Sequence, residues 1–582
     1  MRKIENANKN TKKAKTSWKA FLKFYTKVNM PWHLFIATAI MGFGITKVNL
    51  MIVPYTAAIN KGDIAKAGFL KGFLFWTVAA ALVSLTYNLV WGFCSMITNR
   101  NIRKKVWAKL LRMPVAEYDK EDPQSFVSRI TSDAEKAVSA PASVISFFAS
   151  CYGLIIAYTK MNEIYSDLAK LILFVAPVAL IVIAIIGKFS YKINLIVQSA
   201  ISLITSYFGE RLSNVYYIKS TSMENEEYEA GIKASQEKYK ADLVSAVLGS
   251  LQVPIGYITQ YAIMIIVFAG GALYVRRGQM EISGLVDFYS YSSILLPSFF
   301  EIVTQWQNIK GSHGATAKIA ALMELENEVT DGKISMNRPD EDINFKDVVF
   351  SYDNENAILH GIDFTIPKNK KTVVLGSNGS GKTTIFKLIE RFYNPQQGEV
   401  CFGNDSILDI KLDEWRASIG YVSQNSHLIS GTIRDNIAYG TNHDYSEEEI
   451  IRAAKLANAY DFIMELEDGF DTYVSQVNSK MSGGEKQRIA IARVIMKDPD
   501  YLLLDETTSS LDIICRQDVI KAIRNLMEGR TTIMISHDMD LVKDADHIVV
   551  VKDGSVEAEG SYEEALSVSP SFQKFIALQH IK

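Results

Sequence analysis

Two segments of this chain have the composition of anion-binding helix starts. Gly376-Ser377-Asn378-Gly379-Ser380-Gly381-Lys382-Thr383 follows an apolar run at 371–375 and precedes a helical pattern at 385–392. Strand, glycine loop and helix in that order predict a phosphate cradle. The glycines bare backbone N–H groups, Lys382 reaches the outer phosphate oxygens, and Thr383 ligates Mg²⁺. Met481-Ser482-Gly483-Gly484-Glu485 offers bare N–H groups and a hydroxyl at a helix start a second time. About twenty residues later the buried strand 501–505 ends in Asp505, followed by Glu506. Asp505 is placed to hold Mg²⁺ through water, and Glu506, on the other strand face, to polarise an attacking water. A third apolar strand, 530–536, ends at His537 and aims its imidazole at the same crevice. If one nucleotide needs both helix starts, two copies of the domain must meet around it.

Composition says what must carry these groups. With 582 residues the chain exceeds one core, so at least two domains are expected. A net charge of −2 gives no support for nucleic-acid binding. Hydrophobic residues make up 48% beside 22% charged, which suggests one apolar half and one polar half. Cys94, Cys151, Cys401 and Cys515 are scattered without metal or CxxC spacing, and read as small buried residues.

The apolar half occupies the first 310 residues. Six spans are expected, at 33–57, 72–98, 141–159, 168–190, 248–275 and 284–306, each about the 20 residues that cross a bilayer. Lys47, Gln252, Gln260 and Glu301 interrupt them, which a water-filled cavity between helices tolerates. The second span runs into Arg100, Arg103, Lys104, Lys105, Lys109 and Arg112, a cluster that belongs on the cytoplasmic side. Spans 2 and 3, and 4 and 5, are then joined by long cytoplasmic excursions, and both termini are cytoplasmic. Arg276-Arg277 is an exception to the charge rule. Residues 1–30 carry no apolar signal core; Trp18, Phe21, Leu22 and Tyr25 fall at helical spacing among Lys19, Lys23 and Lys27. They predict a basic amphipathic helix on the cytoplasmic membrane face, a solvated tail being the alternative.

Taken in order, these residues resemble the ATP-binding cassette transporters, specifically the exporter-type half-transporters, over essentially the whole chain. Tyr352 matches the family's adenine-stacking aromatic, and 376–384, ending in Thr384, the phosphate loop. Gln424, in Tyr421-Val422-Ser423-Gln424, matches the glutamine that touches Mg²⁺ and senses the membrane domain. Ser482-Gly483-Gly484 matches the signature segment, Asp505 and Glu506 the acidic pair, Ser510-Leu511-Asp512 the following loop, and His537 the switch histidine. The stretches 114–133 and 210–224 look like the two intracellular loops, with coupling helices near 119–124 and 214–221. Two departures stand out. Glu485 replaces the family's glutamine, and Ser475-Gln476-Val477-Asn478 replaces a Gly-Glu-Arg-Gly run that transmits motion.

The resemblance implies a six-helix all-α transmembrane domain joined to a cytoplasmic α/β P-loop ATPase cassette. The boundaries are a basic segment at 1–30, the membrane domain at 31–324, a linker at 325–342 carrying Pro339, and the nucleotide-binding domain at 343–582. It implies ATP and Mg²⁺, a second half-transporter with a homodimer favoured over a heterodimer, and no nucleic acid. The expected setting is a bacterial plasma membrane, multi-pass, with cassette and termini in the cytoplasm. The expected work is ATP-driven export of an amphipathic peptide, drug-like molecule or lipid; uptake, or a membrane-anchored regulatory ATPase, is the alternative. Gln252, Gln260, Glu301 and Gln305 either line the cargo cavity or pair helix to helix.

Overall fold

The computed structural model describes residues 18–60, 68–121, 123–173, scattered positions within 189–201, 203–330, 332–336, 341–353, 355–441, 443–475, 481–508 and 513–579. The chain divides into two units. One comprises 1–111 with 122–325, the other 112–121 with 326–582.

The first unit is helical: Trp18–Lys27, Trp32–Asn60, Phe69–Leu111, Ala134–Ile164, Glu224–Arg276 and Ile282–Glu324 are its main elements. Hydrocarbon leaves no water to satisfy backbone groups, so spans of this composition close their hydrogen bonds internally as helices. Among the described residues, Trp32–Tyr55, Phe69–Leu111 and Ser125–Ile164 are long and apolar enough to cross a membrane. The fifth expected span lies within Glu224–Arg276, whose described residues include the apolar stretch Gln260–Arg276, and the sixth lies within Ile282–Glu324, where polar residues dilute the signal. The fourth begins on Ser166–Leu173, and most of its remainder falls outside the described residues. Phe69–Leu111 has 43 residues, so it runs about 65 Å, twice a bilayer core of ~30 Å. The far half carries the cluster from Arg100 to Lys109. Fully buried Met161, Leu168, Val267 and Phe288 tie four of these helices together.

Among the described residues the second unit contains twelve strands in chain order: β1 (Ile343–Ser351), β2 (Ala357–Ile366), β3 (Lys371–Leu375), β4 (Gln397–Phe402), β5 (Asp405–Ser406), β6 (Ile419–Val422), β7 (Gly431–Thr432), β8 (Tyr473–Val474), β9 (Tyr501–Asp505), β10 (Thr531–Ile535), β11 (His547–Lys552) and β12 (Ser555–Gly560). An antiparallel sheet has the order β2-β1-β4-β5, and the central sheet β12-β11-β3-β10-β9-β6. Strands β6, β9, β10, β3 and β11 are parallel, and Val422, Leu504, Met534, Val373 and Ile548 stand side by side across them. Both faces of this sheet are covered, so its strands read as unbroken apolar runs. Val373, Leu504 and Met534 pack on the side of Ile489 and Val519, whereas Val374, Leu503 and Ile533 pack on the side of Phe386 and Trp415.

The helix expected at 385–392 instead spans Lys382–Ile389. It starts directly from Gly381, whose φ of +104° turns the loop into the helix, and a left-handed Arg391 (φ +55°) keeps it from extending. From residue 326 on, the described part of the 325–342 linker belongs to the second unit. Glu328 pairs with Arg416 at 2.7 Å, and the Glu414 carboxylate accepts from Ser335 Oγ (2.6 Å) and the Met336 amide (2.7 Å). At the place expected for the first short helix, Val115–Tyr118 is helical, 119–121 form a turn, and Pro123 starts the next helix. Within the second unit the Tyr393 hydroxyl donates to Asp119. The second short helix is Val215–Ser220, inside the expected 214–221.

Candidate nucleotide site

The strand register fixes the site. Each strand ends within two residues of the aligned row Val422–Leu504–Met534–Val373, so Gln424, Asp505, Glu506, His537 and Gly376 all emerge at the carboxyl edge of one parallel sheet. Ligands of such sheets bind at that edge.

Gly376 cannot be another residue, because a Cβ there would lie 2.2 Å from the Val551 carbonyl oxygen. Gly379 and Gly381 both take left-handed backbone (φ +82° and +104°), while Ser377 and Asn378 stand exposed between the turns. Lys382 is buried, and its Nζ donates to the carbonyls of Gly376 (2.8 Å) and Ser377 (2.9 Å). An ammonium has three donors, so one remains for an anion. Burial pushes the Lys382 pKa down, opposed by the charges of Glu506 and Asp505. The Ser380 hydroxyl is buried with no hydrogen-bond partner. Such an orphan is rare and costly, and a phosphate oxygen would satisfy it. The cradle therefore fits a nucleotide phosphate. Thr383 is exposed at the helix start, and the Thr384 hydroxyl lies 3.2 Å from Tyr352 Oη. The Tyr352 ring is braced edge-on by Phe350 (4.9 Å) and Tyr393 (5.0 Å), with Lys387 Nζ over it at 5.0 Å.

Asp505 is buried, and burial together with the neighbouring Glu506 charge raises its pKa. Tyr421 Oη approaches its Oδ2 at 3.4 Å. Glu506 holds a left-handed backbone (φ +44°), its amide tied to the Ile535 carbonyl at 2.9 Å. A non-glycine residue pays strain for that conformation. The result is a carboxylate turned between Gln424 Nε2 (3.0 Å to Oε2) and His537 Nε2 (3.5 Å to Oε1). Glu506, Gln424 and His537 thus bring an acid, an amide and an imidazole around one point. Among the described residues no three His, Cys, Asp or Glu side chains gather as a metal cluster. A divalent ion at this edge would be held as Mg²⁺ is, by a carboxylate, a threonine hydroxyl and phosphate oxygens.

The second helix start is built differently. Ser482 caps the helix Gly483–Lys497: its Oγ accepts from the Glu485 amide (3.3 Å), and the Glu485 carboxylate accepts from the Ser482 amide (2.7 Å). This reciprocal box works with Glu or Gln, so Glu485 in place of the family's glutamine keeps the cap. The spacing of Ser482 and Glu485 in the sequence was sufficient to find it. Ser482 Oγ accepts from the chain and keeps its own O–H to donate. Ser482 and Gly483 are exposed, whereas Gly484 is buried, and a Cβ on it would lie 2.8 Å from that of Cys515. No sequence signal marked Cys515. Among the described residues no hydrogen bond joins Ser482, Gly483 or Gly484 to the phosphate loop. Residues 476–478 and 510–512 lie outside the described residues.

In the helical unit, Gln305 Nε2 donates to Glu301 Oε1 at 2.5 Å, one turn apart on the same helix. Gln260 is exposed beside Tyr289 and Ser293, and the Gln252 side chain lies outside the described residues.

Residues 359–509 match the family described as ABC transporter, and 32–299 the ABC transporter transmembrane region. A multidrug resistance ABC transporter ATP-binding and permease protein of Lactococcus lactis subsp. lactis is 29% identical over 570 residues, covering 97% of this chain and 96% of the relative. An ATP-dependent lipid A-core flippase of Desulfotalea psychrophila is 30% identical over 523 residues, covering 88% of each. Another flippase of that description, from Vibrio vulnificus, is 28% identical over 582 residues, covering 97% of this chain and 98% of the relative.

Proposed function

We propose, from the premise that this chain belongs to the ATP-binding cassette transporters as an exporter-type half-transporter whose ATP hydrolysis is coupled to transport, that it exports an amphipathic substrate as half of a dimer. The observation that carries the dimer is the exposed, self-capped helix start at Ser482. It presents a hydroxyl proton and bare amides to an anion that its own chain does not supply.

Lys382, Ser380 and the loop amides of one chain bind the ATP phosphates, while Tyr352 takes the adenine. Ser482 and Gly484 of a second chain close over the γ-phosphate from the opposite side. Mg²⁺, held by Thr383, Asp505 and Gln424, would neutralise charge developing between the β- and γ-phosphates. Glu506 accepts a hydrogen bond from the attacking water as it adds to the γ-phosphorus and the bond to ADP breaks. His537 steadies Glu506 and the γ-phosphate oxygen. Closure on ATP turns the cavity outward, and hydrolysis resets it. A homodimer suits a chain in which both motif sets are present. The cassette and both termini face the cytoplasm of a bacterial cell. Cargo of mixed polarity suits a wall in which Glu301 and Gln305 interrupt apolar helices, and agrees with the multidrug and lipid A descriptions of the relatives.

The experiment is ATP-driven transport of a fluorescent amphipathic dye in inverted vesicles, with Glu506→Gln as the comparison. Wild type accumulates the dye, and the variant binds ATP but does not. Equal accumulation by both would remove Glu506 from its assigned role.

A further inference from the structure

In the helical unit a cleft of about 240 Å³ opens between Trp18–Lys27, the far half of Phe69–Leu111 and the end of Ile282–Glu324. That is just below the ~300–1,000 Å³ of small-molecule sites, so it takes a headgroup rather than a whole cargo. Its floor is apolar, formed by Phe24, Val28 and Met323. Its rim is not: Lys23, Lys27 and Lys105 ring it, with Glu324 as the one acid. Among the described residues none of these three lysines enters an ion pair, and Glu324 enters none. Lys109, one turn beyond Lys105, is used differently, because its ammonium donates to the Leu325 carbonyl at the end of the neighbouring helix.

Three ammoniums around one cleft repel one another unless an anion joins them. The surrounding residues say which kind of anion. Phe21, Phe24 and Tyr25 anchor the short helix on the bundle, Tyr25 Oη donating to the Ala137 carbonyl at 2.6 Å. On the same helix Trp18 and Leu22 stay exposed, one turn apart. Trp32 is exposed at the head of the first span, only five residues after Lys27, and Ile36 and Ile40 continue its outward stripe. An exposed tryptophan heading an outward apolar stripe marks the water–hydrocarbon boundary. The cleft therefore sits where headgroups are.

We infer that this cleft binds the phosphate of an anionic phospholipid, held by Lys23, Lys27 and Lys105, with its acyl chains following the outward apolar face. The site is separate from the cargo pathway, and its lipid steadies the short helix against the two long ones. It does not depend on the orientation or cargo proposed above, because binding can be read in detergent.

The test is mass spectrometry of the intact full-length protein in detergent, titrated with phosphatidylglycerol or with phosphatidylcholine. Each lysine near an anionic surface is worth roughly a fivefold change in partition. Wild type is expected to retain phosphatidylglycerol preferentially. Lys23→Gln, Lys27→Gln and Lys105→Gln together are expected to weaken it about a hundredfold. Glu324→Gln is expected to tighten it. Arg103→Gln with Lys104→Gln, on the same basic run but off the cleft, is expected to change it less than about threefold. Retained binding in the triple variant, or an equal loss in the Arg103/Lys104 control, overturns the site. Displacement of the lipid by equimolar inorganic phosphate would mark a free-anion site and overturn the lipid assignment.

Discussion

The two anion-facing helix starts of the cassette unit differ in what they leave unfinished. At the phosphate loop the missing piece is inside: a buried Ser380 hydroxyl without a partner and a lysine with a donor in reserve. At Ser482 nothing inside is missing, since the cap closes on Glu485, and what remains is an exposed surface. The first start is completed by a ligand, and the second completes something else. In the mechanism proposed above, that asymmetry assigns the chemistry to the loop and the closing motion to the capped helix.

The largest expected effect separates chemistry from binding. Glu506→Gln should lower ATPase turnover about 10²–10⁴-fold while ATP still binds, read by steady-state hydrolysis beside nucleotide binding. A pH effect should follow on the loop side. Glu390 caps the end of the loop's helix, and burial pushes its carboxyl up to about 7 against the pull of Arg416 and Lys497, with Asp505 adding to the rise. A raised acid stabilises the fold below its unfolded pKa, and that stability is lost as pH climbs through about 7. Glu390→Gln should therefore flatten the decline in thermal stability between pH 5 and 8, gaining up to about 3 kcal/mol at pH 8; an unchanged profile would remove this assignment.

The two serines sharpen the contrast. Ser380→Ala removes an orphan, so the nucleotide-free melting temperature should hold or rise while ATP affinity falls about tenfold. Ser482→Ala removes a cap, so stability should fall by about 1 kcal/mol with ATP affinity of the open form little changed. The smallest effect belongs to the residue that breaks the family pattern. Glu485→Gln should be near neutral in stability and ATPase because the amide keeps the box, whereas Glu485→Ala should cost about 1 kcal/mol. Differential scanning calorimetry reads both.

Much of the nucleotide site is legible because strand ends and glycine loops fix it locally. Gly376 to Thr383, Asp505, Glu506 and His537 are brought to one edge by unbroken apolar runs that the sequence displays openly. Cys515 under Gly484 and the Asp119–Tyr393 contact are not legible, since each joins segments far apart in sequence. Helix ends slipped by a few residues where left-handed Gly381 and Arg391 set them. The membrane spans are legible as apolar blocks, yet the polar interruptions within the sixth carry no address, as Glu301 and Gln305 pairing on one helix illustrates.

The central claim is that the helix start at Ser482 serves another chain's ATP, and mixed dimers test it directly. Lys382→Ala kills the loop, and Ser482→Arg blocks the capped helix; each variant alone should be inactive. Co-assembled, half the dimers carry one intact composite site, so ATPase should return to as much as about a quarter of wild type. A mixture that stays at the level of the separate variants would contradict the shared site and return both helix starts to a single chain.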